Sequence, residues 1–202
     1  MNILVVIPAW TGSRRIPNKN LADVAGQSLL ERTIRFALSL PIDARIVVNT
    51  DIVDGEGNRT VQEITDLFRP RVEVCTCTLH DGTTSGSNAV WRYTHRAFAD
   101  HTWRTILLEP SSPMRERNDI LQCLNALNPL SSPYVMTVTR VKTVFHGPQP
   151  TYNGACYAAI PSYTNEPAFI PIAGPQWHPV ETPWRINIDT PHDLEIARKI
   201  LT

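Results

Sequence analysis

Residues 2–8 read NILVVIP and residues 10–20 read WTGSRRIPNKN; the change between these two stretches decides the fold. The first is an unbroken apolar, β-branched run, the pattern of a strand buried on both faces of a parallel sheet. The second holds a glycine, a proline, two asparagines and three cationic residues, and reads as a surface loop. A buried strand that ends in such a loop has the means to hold a polyphosphate. Gly12 lets the backbone approach, Ser13 and main-chain N–H groups donate, and Arg14, Arg15 and Lys19 neutralise oxyanions. The spacing matches neither G-x-G-x-x-G nor G-x-x-x-x-G-K-[ST], which argues against a simple dehydrogenase and a P-loop kinase. On composition alone, a solvated basic loop is the competing reading.

Working outward, helical and extended patterns alternate. A helix is predicted over 28–40, where Leu29, Leu30, Ile34 and Leu38 form an apolar stripe that Pro41 ends. Strands are predicted at 44–50, 72–78, 105–108, 134–139 and 155–160, and helices at 60–68, 85–100, 118–127 and 190–201. The last helix has the clearest start: Thr190 caps, Pro191 suits the first helical position and Asp193 lies in the first turn. Stretches 145–151 and 165–183 are proline-rich and read as irregular. This order predicts an α/β protein with a three-layer, Rossmann-like, mostly parallel sheet and right-handed crossovers. Ligands in such sheets bind beyond the carboxyl ends of the strands, which selects loops 8–20, 50–55, 109–115 and 187–190.

Composition narrows the function classes. The 202 residues suit one domain spanning 1–202, with 42% hydrophobic and 19% charged residues as in a globular protein. Lys+Arg and Asp+Glu balance at 19 each, so no summed positive field favours nucleic acid or a membrane surface. No apolar run reaches the ~20 residues of a membrane span, and a cytoplasmic location is expected. The four cysteines include one C-x-C pair, Cys75 and Cys77, without a second pair or a nearby histidine to complete a zinc site; buried free thiols are expected. The six histidines lack ligand spacing, and Ser111 and Ser112 lie in no G-x-S-x-G elbow. Trp177 and His178 either wall a pocket or pack a loop.

The loop also carries a resemblance. I-P-A-W-T-G-S-R-R-I-P-N-K-N (7–20), followed by L-A-D-V-A-G-Q-S-L-L, resembles the N-terminal signature of the cytidylyltransferases that activate sialic acids and related sugars as CMP derivatives. In the same order, V-V-N-T-D (47–51), L-L-E-P-S-S-P-M-R (107–115), N-G-A-C-Y (153–157) and I-D-T-P-H-D-L (188–194) resemble further family motifs. The resemblance implies a nucleotide-diphospho-sugar transferase type of fold and transfer of CMP from CTP to a small acceptor hydroxyl, with release of pyrophosphate and Mg²⁺ as cofactor. It places Ala9, Gly12, Ser13, Arg14, Lys19, Asn20 and Ser87 at the nucleotide. Glu109, Ser111, Asn153 and Gly154 fall at the acceptor, Asp189 and Asn187 at the metal, and Arg14, Lys19 and Asp189 in catalysis.

Four departures from the family pattern stand out. Trp10 replaces an arginine, Glu109 a glutamine and Asn187 the first aspartate of D-x-D. Between Thr139 and Asn153 the chain is too short for the arm that pairs subunits in the family, so an arm-mediated dimer is not expected and any homo-oligomer must form otherwise. An acceptor smaller than N-acetylneuraminic acid, or differently charged, is expected. Two rivals remain: the same fold with another nucleotide or a sugar-phosphate or phosphonate acceptor, and a nucleotide-binding protein without turnover.

Overall fold

The computed structural model describes residues 2–51, 56–77, 86–100, 102–141, 149–160 and 177–201. The expected loop 52–55 and most of the proline-rich stretches 145–151 and 165–183 lie outside them.

Seven strands form the main sheet: β1 (Ile3–Pro8), β4 (Arg45–Asp51), β5 (Val72–Cys77), β6 (Arg104–Leu107), β7 (Tyr134–Val141), β8 (Gln149–Ala159) and β9 (Trp177–Glu181). Their order is β5-β4-β1-β6-β8-β7-β9. The pairs β1/β4, β1/β6, β4/β5 and β7/β9 are parallel, whereas β8 is antiparallel to both β6 and β7. Among the described strands only β8 runs against the rest, as a mostly parallel sheet requires.

The alternation of β1 builds the layers. Ile3, Val5 and Ile7 pack with Leu30 and Ile34 of α1 (Leu29–Leu38), Val61 of α2 (Glu56–Asp66) and Ile120 of α4 (Arg117–Ala126). Leu4 and Val6 face the opposite way, against Val90 and Trp91 of α3 (Gly86–Phe98). A third cluster joins Leu194 and Ala197 of α5 (Pro191–Leu201) to Ile186, Ile188, Ile16 and Leu29. Helices therefore cover both faces of the sheet.

Local sequence explains the element ends. Ser28 caps α1, its hydroxyl accepting the Glu31 N–H at 3.0 Å. At α5 the cap is reciprocal: Asp193 N–H donates to Thr190 Oγ1 at 3.2 Å and Thr190 N–H to the Asp193 carboxylate at 2.8 Å. Burial pulls the Asp193 carboxyl upward, but the Thr190 hydroxyl, the N–H groups of Asp189 and Thr190, and His192 outweigh it and hold it below the usual range.

The structure departs from the sequence expectation in four places. β9 falls inside the proline-rich stretch, and its Pro179 is tolerated because β9, among the described residues, is an edge strand paired only with β7. β8 starts at Gln149, not 155, because Pro150 pairs with β7 alone; β6 reaches only Tyr157, Ala158 and Ala159. α2 starts four residues early, at Glu56, through Gly57 and Asn58, which are weak helix formers. A small hairpin, β2 (Asp23–Val24) with β3 (Gln27–Ser28), turns through Ala25 and Gly26 at φ 54° and 77°. Cys75, Cys123 and Cys156 are buried free thiols, as expected. Residues 142–148 join β7 to β8, and the flanking residues pair as a hairpin.

Candidate active site

β1 is flanked by β4 on one side and β6 on the other, so the chain reverses its direction of travel across the sheet between β1 and β6. That is where an open α/β sheet forms its ligand crevice. A cavity of about 220 Å³ lies there, lined by Pro8, Trp10, Ser13, Lys19, Asn20, Val90, Glu109, Pro110, Ser111, Asn187 and Asp189. A second, larger and more open cavity of about 470 Å³ is lined by Trp10, Ser13, Arg14, Arg15, Ile16, Lys19 and Asp189. Trp10, Ser13, Lys19 and Asp189 form the wall common to both. The smaller space is flanked by Glu109 and Ser111, the larger by the arginines.

The loop after β1 is held from three sides. Ala9 N–H continues the ladder to the Asn49 carbonyl at 2.8 Å, and the Thr50 hydroxyl donates to the Ala9 carbonyl at 3.2 Å. Ala9 is buried, and its backbone fixes where the loop leaves the sheet. The buried Asn20 donates its amide to the Trp10 carbonyl at 2.8 Å. A Cβ on Gly12 would lie 2.5 Å from Trp10 Nε1 and 2.9 Å from Cε2, so any larger residue here would have to displace the indole. Lys19 lies in a 3₁₀ turn, Lys19–Leu21. Its ammonium donates to the Ile188 carbonyl at 2.8 Å and lies 3.6 Å from Asp189 Oδ1, with Arg15 at 4.0 Å on the same oxygen. Arg14 is exposed and faces the larger cavity.

In the segment before α5, Asn187 donates its amide to Asp189 Oδ2 at 3.0 Å and accepts from the Ser112 hydroxyl at 3.2 Å. Gly154, at φ 68°, backs this contact: a Cβ there would fall 2.4 Å from Ser112 Oγ and 3.3 Å from Asn187 Oδ1. Asn153 is buried behind it. Its side-chain Oδ1 accepts from the Thr137 hydroxyl at 2.6 Å, and its Nδ2 donates to the hydroxyls of Thr139 at 3.0 Å and Thr182 at 2.6 Å. These bonds engage the side chain in tying β7, β8 and residue 182 together.

The structure thus brings Ser13, Lys19, Asn20, Glu109, Ser111, Asn187 and Asp189 around one cavity and Arg14 into the adjoining one. Ala9, Gly12, Asn153 and Gly154 act as scaffold behind or beside them. Ser87 lies in α3, but its side chain is outside the described residues, as is that of Trp177. His178 is exposed on the edge strand β9.

Sequence reasoning passed over Arg115, Asp119 and Arg185. Arg115 is buried, donates to the Glu109 carbonyl and lies over the Phe36 ring at 5.8 Å. Burial lowers its pKa to about 10, opposed by Cys156, Glu109 and Asp119, so it stays cationic at neutral pH. Its place at the end of the 107–115 motif was the available signal. Arg185 and Asp119 carried none.

Asp189 and Asn187 offer a carboxylate oxygen and an amide oxygen beside a polar cavity. Such a hard-oxygen pair suits Mg²⁺, which commonly takes one or two protein carboxylates and completes its shell with water and phosphate. Among the described residues no group of three or more histidines, cysteines, aspartates or glutamates is placed to hold a metal. No helix among them is long and apolar enough to cross a membrane.

The sheet order and the crevice between β1 and β6 define an open α/β fold that takes its ligand at the carboxyl ends of its strands. The chain belongs to the cytidylyltransferase family, whose model matches residues 4–147. It is 31% identical over 151 residues to a 3-deoxy-manno-octulosonate cytidylyltransferase of Blochmanniella floridana, covering 72% of this chain and 54% of that one. The same activity is named for a Maricaulis maris protein 51% identical over 51 residues, 25% of this chain and 20% of that one. A CMP-N,N'-diacetyllegionaminic acid synthase of Legionella pneumophila is 49% identical over 51 residues, 25% and 22% of the two chains. This chain therefore matches between about a fifth and about half of these relatives' lengths. In three dimensions it resembles a CMP:2-keto-3-deoxy-manno-octonic acid synthetase solved with CTP. The TM-score is 0.72 at 17% identity, over 99% of this chain and 98% of that one, which establishes the shared fold.

Proposed function

We propose that the protein transfers a cytidylyl group from CTP to the hydroxyl of a 2-keto-3-deoxy sugar acid and releases pyrophosphate. The observation that carries this reading is the Lys19–Asp189 contact at 3.6 Å on the wall shared by the two cavities. It sets cations on one side and an acceptor-sized polar space on the other. In the transfer, the acceptor oxygen forms a bond to the α-phosphorus as the bond to the bridging oxygen of pyrophosphate breaks. Such a reaction depends on positioning and charge neutralisation more than on covalent catalysis. Arg14 and Lys19 receive the negative charge that develops on the leaving pyrophosphate, with Arg15 alongside. Ser13 and backbone N–H groups orient the phosphates, while Asn20 holds the loop through the Trp10 carbonyl. Asp189 and Asn187 would hold Mg²⁺, which when bound neutralises phosphate oxygens.

Three features favour an acceptor of the 3-deoxy-manno-octulosonate kind over a sialic acid. The relatives named for that acceptor include the one matched over most of this chain. The β7–β8 connection is short, and the smaller cavity is about 220 Å³. Pyrophosphate release from CTP, ATP, GTP and UTP is the test, each paired with 3-deoxy-manno-octulosonate, N,N'-diacetyllegionaminic acid and N-acetylneuraminic acid. CTP with 3-deoxy-manno-octulosonate is expected to be fastest. Preference for another nucleotide, or CTP binding without turnover on any acceptor, overturns the proposal.

A further inference from the structure

Asn187 and Asp189 lie on segment 182–190, which has no regular structure of its own. What holds that segment in register against loop 109–115 decides whether the two walls of the site match. Its apolar residues, Ile186 and Ile188, are buried against Leu29 and Leu194. Apolar burial is non-directional and tolerates sliding. In an extended segment, a slip of one residue would turn Asp189 inward and bring Ile188 to the cavity.

Directional contacts add what apolar burial lacks: Lys19 and Ser111 bond to Ile188 at the site, and one buried ion pair anchors the segment from behind. Arg185 is buried, and its guanidinium grips Asp119 bidentately, Nε to Oδ2 at 3.1 Å and an Nη to Oδ1 at 3.2 Å. The same Nη lies 3.2 Å from the Glu116 carboxylate. Asp119 is itself fixed, since its Oδ2 also accepts the Glu116 N–H at 2.8 Å in the first turn of α4. Just before that turn Arg115 holds the Glu109 carbonyl. The two walls then meet through the Ile188 N–H, which donates to the Ser111 carbonyl at 2.8 Å, and through Ser112 on Asn187. The planar fork of arginine admits one geometry, where an apolar contact admits many. A buried ion pair is often no more stabilising than an apolar pair of similar volume, so its geometry is the more telling property.

We infer that Arg185 is a positioning residue: paired with Asp119, it sets the register of Asn187 and Asp189 against Ser111 and Ser112. The role in catalysis rests on the cytidylyl-transfer reading of the site, whereas the role in register does not. It acts through Asp189 and touches no substrate.

The test compares wild type with Arg185→Lys and with the double variant Arg185→Met/Asp119→Leu, which removes both buried charges together. Three quantities are read: the exchange rate of the Ile188 amide, the thermal midpoint, and kcat with KM for CTP. In the double variant the midpoint is expected to move by no more than a few degrees. Ile188 exchange rises about tenfold or more while β1 amides keep their rates. kcat falls by about tenfold or more with KM for CTP nearly unchanged. Arg185→Lys, which keeps the charge but loses the fork, falls between. A folded double variant with wild-type Ile188 exchange and kcat overturns the inference. If the double variant does not fold, a wild-type-like Arg185→Lys overturns it. Should wild type show no turnover at all while Ile188 exchange still accelerates, the transfer reading fails and the register role stands.

Discussion

Lys19 and Asp189 face each other at 3.6 Å, although one belongs to the first loop of the chain and the other to the segment before its last helix. The Asp189 side chain is half exposed, so the pair contributes little to stability. Its importance is that each group marks one side of the same wall. For Lys19→Ala, kcat/KM is expected to drop about 10²-fold or more, about 3 kcal/mol, as for other charges preorganised toward a developing oxyanion. Initial rates of pyrophosphate release check this; unchanged CTP binding and turnover would refute the loop assignment.

Asp189→Ala is expected to abolish Mg²⁺-dependent turnover. Asn187→Asp exchanges a donor to Asp189 for a second carboxylate, which repels in the metal-free protein and attracts once a divalent ion binds. The variant should lose thermal stability without Mg²⁺ and bind Mg²⁺ more tightly by calorimetric titration. A weaker Mg²⁺ affinity would assign Asn187 to the acceptor.

Gly154→Ala places a Cβ 2.4 Å from Ser112 Oγ at a left-handed backbone position. A loss of about 2 kcal/mol or more is expected in denaturant unfolding. Adding Ser112→Ala should recover the part due to the clash and leave the backbone part. Full recovery would show that the positive φ costs nothing.

His95 is buried on α3, its ring Nδ1 2.8 Å from Thr105 Oγ1. Burial lowers its pKa to about 4, with Asp100 opposing and Arg96 adding to the shift. Because the unfolded chain takes up the proton first, stability should fall as pH drops from about 6.5 toward about 4 and be complete above that window. Thermal midpoints across the range should slope more steeply in wild type than in His95→Gln. Parallel slopes would refute it.

Much of this was legible in the sequence because β1 is continuously apolar and the cationic loop follows it directly. Any parallel sheet beginning that way puts residues 12–20 at its carboxyl edge. The acidic side was legible through the resemblance of I-D-T-P-H-D-L (188–194) to a family motif, and through Thr190, Pro191 and Asp193, which fix where α5 begins. β9 and the first half of β8 were not, since Pro179 and Pro150 speak against strands unless the edge position is known. The Ala25–Gly26 turn announces only one of its two left-handed residues. The inner supports were hidden for a different reason. Only three of the nineteen basic residues are lysines, so a buried, forked arginine such as Arg185 or Arg115 looks like any surface one until its partners are placed.

The bond from Lys19 to the Ile188 carbonyl spans 169 positions of sequence. During synthesis at roughly 5–20 residues per second, the cationic loop therefore precedes its acidic counterpart by roughly ten to thirty seconds. Through that interval strand β1 can pair with β4, and later with β6, while Lys19 has neither the carbonyl nor the carboxylate it will meet. The site is therefore whole only once segment 182–190 has docked, a step that needs residues made long after the cationic loop.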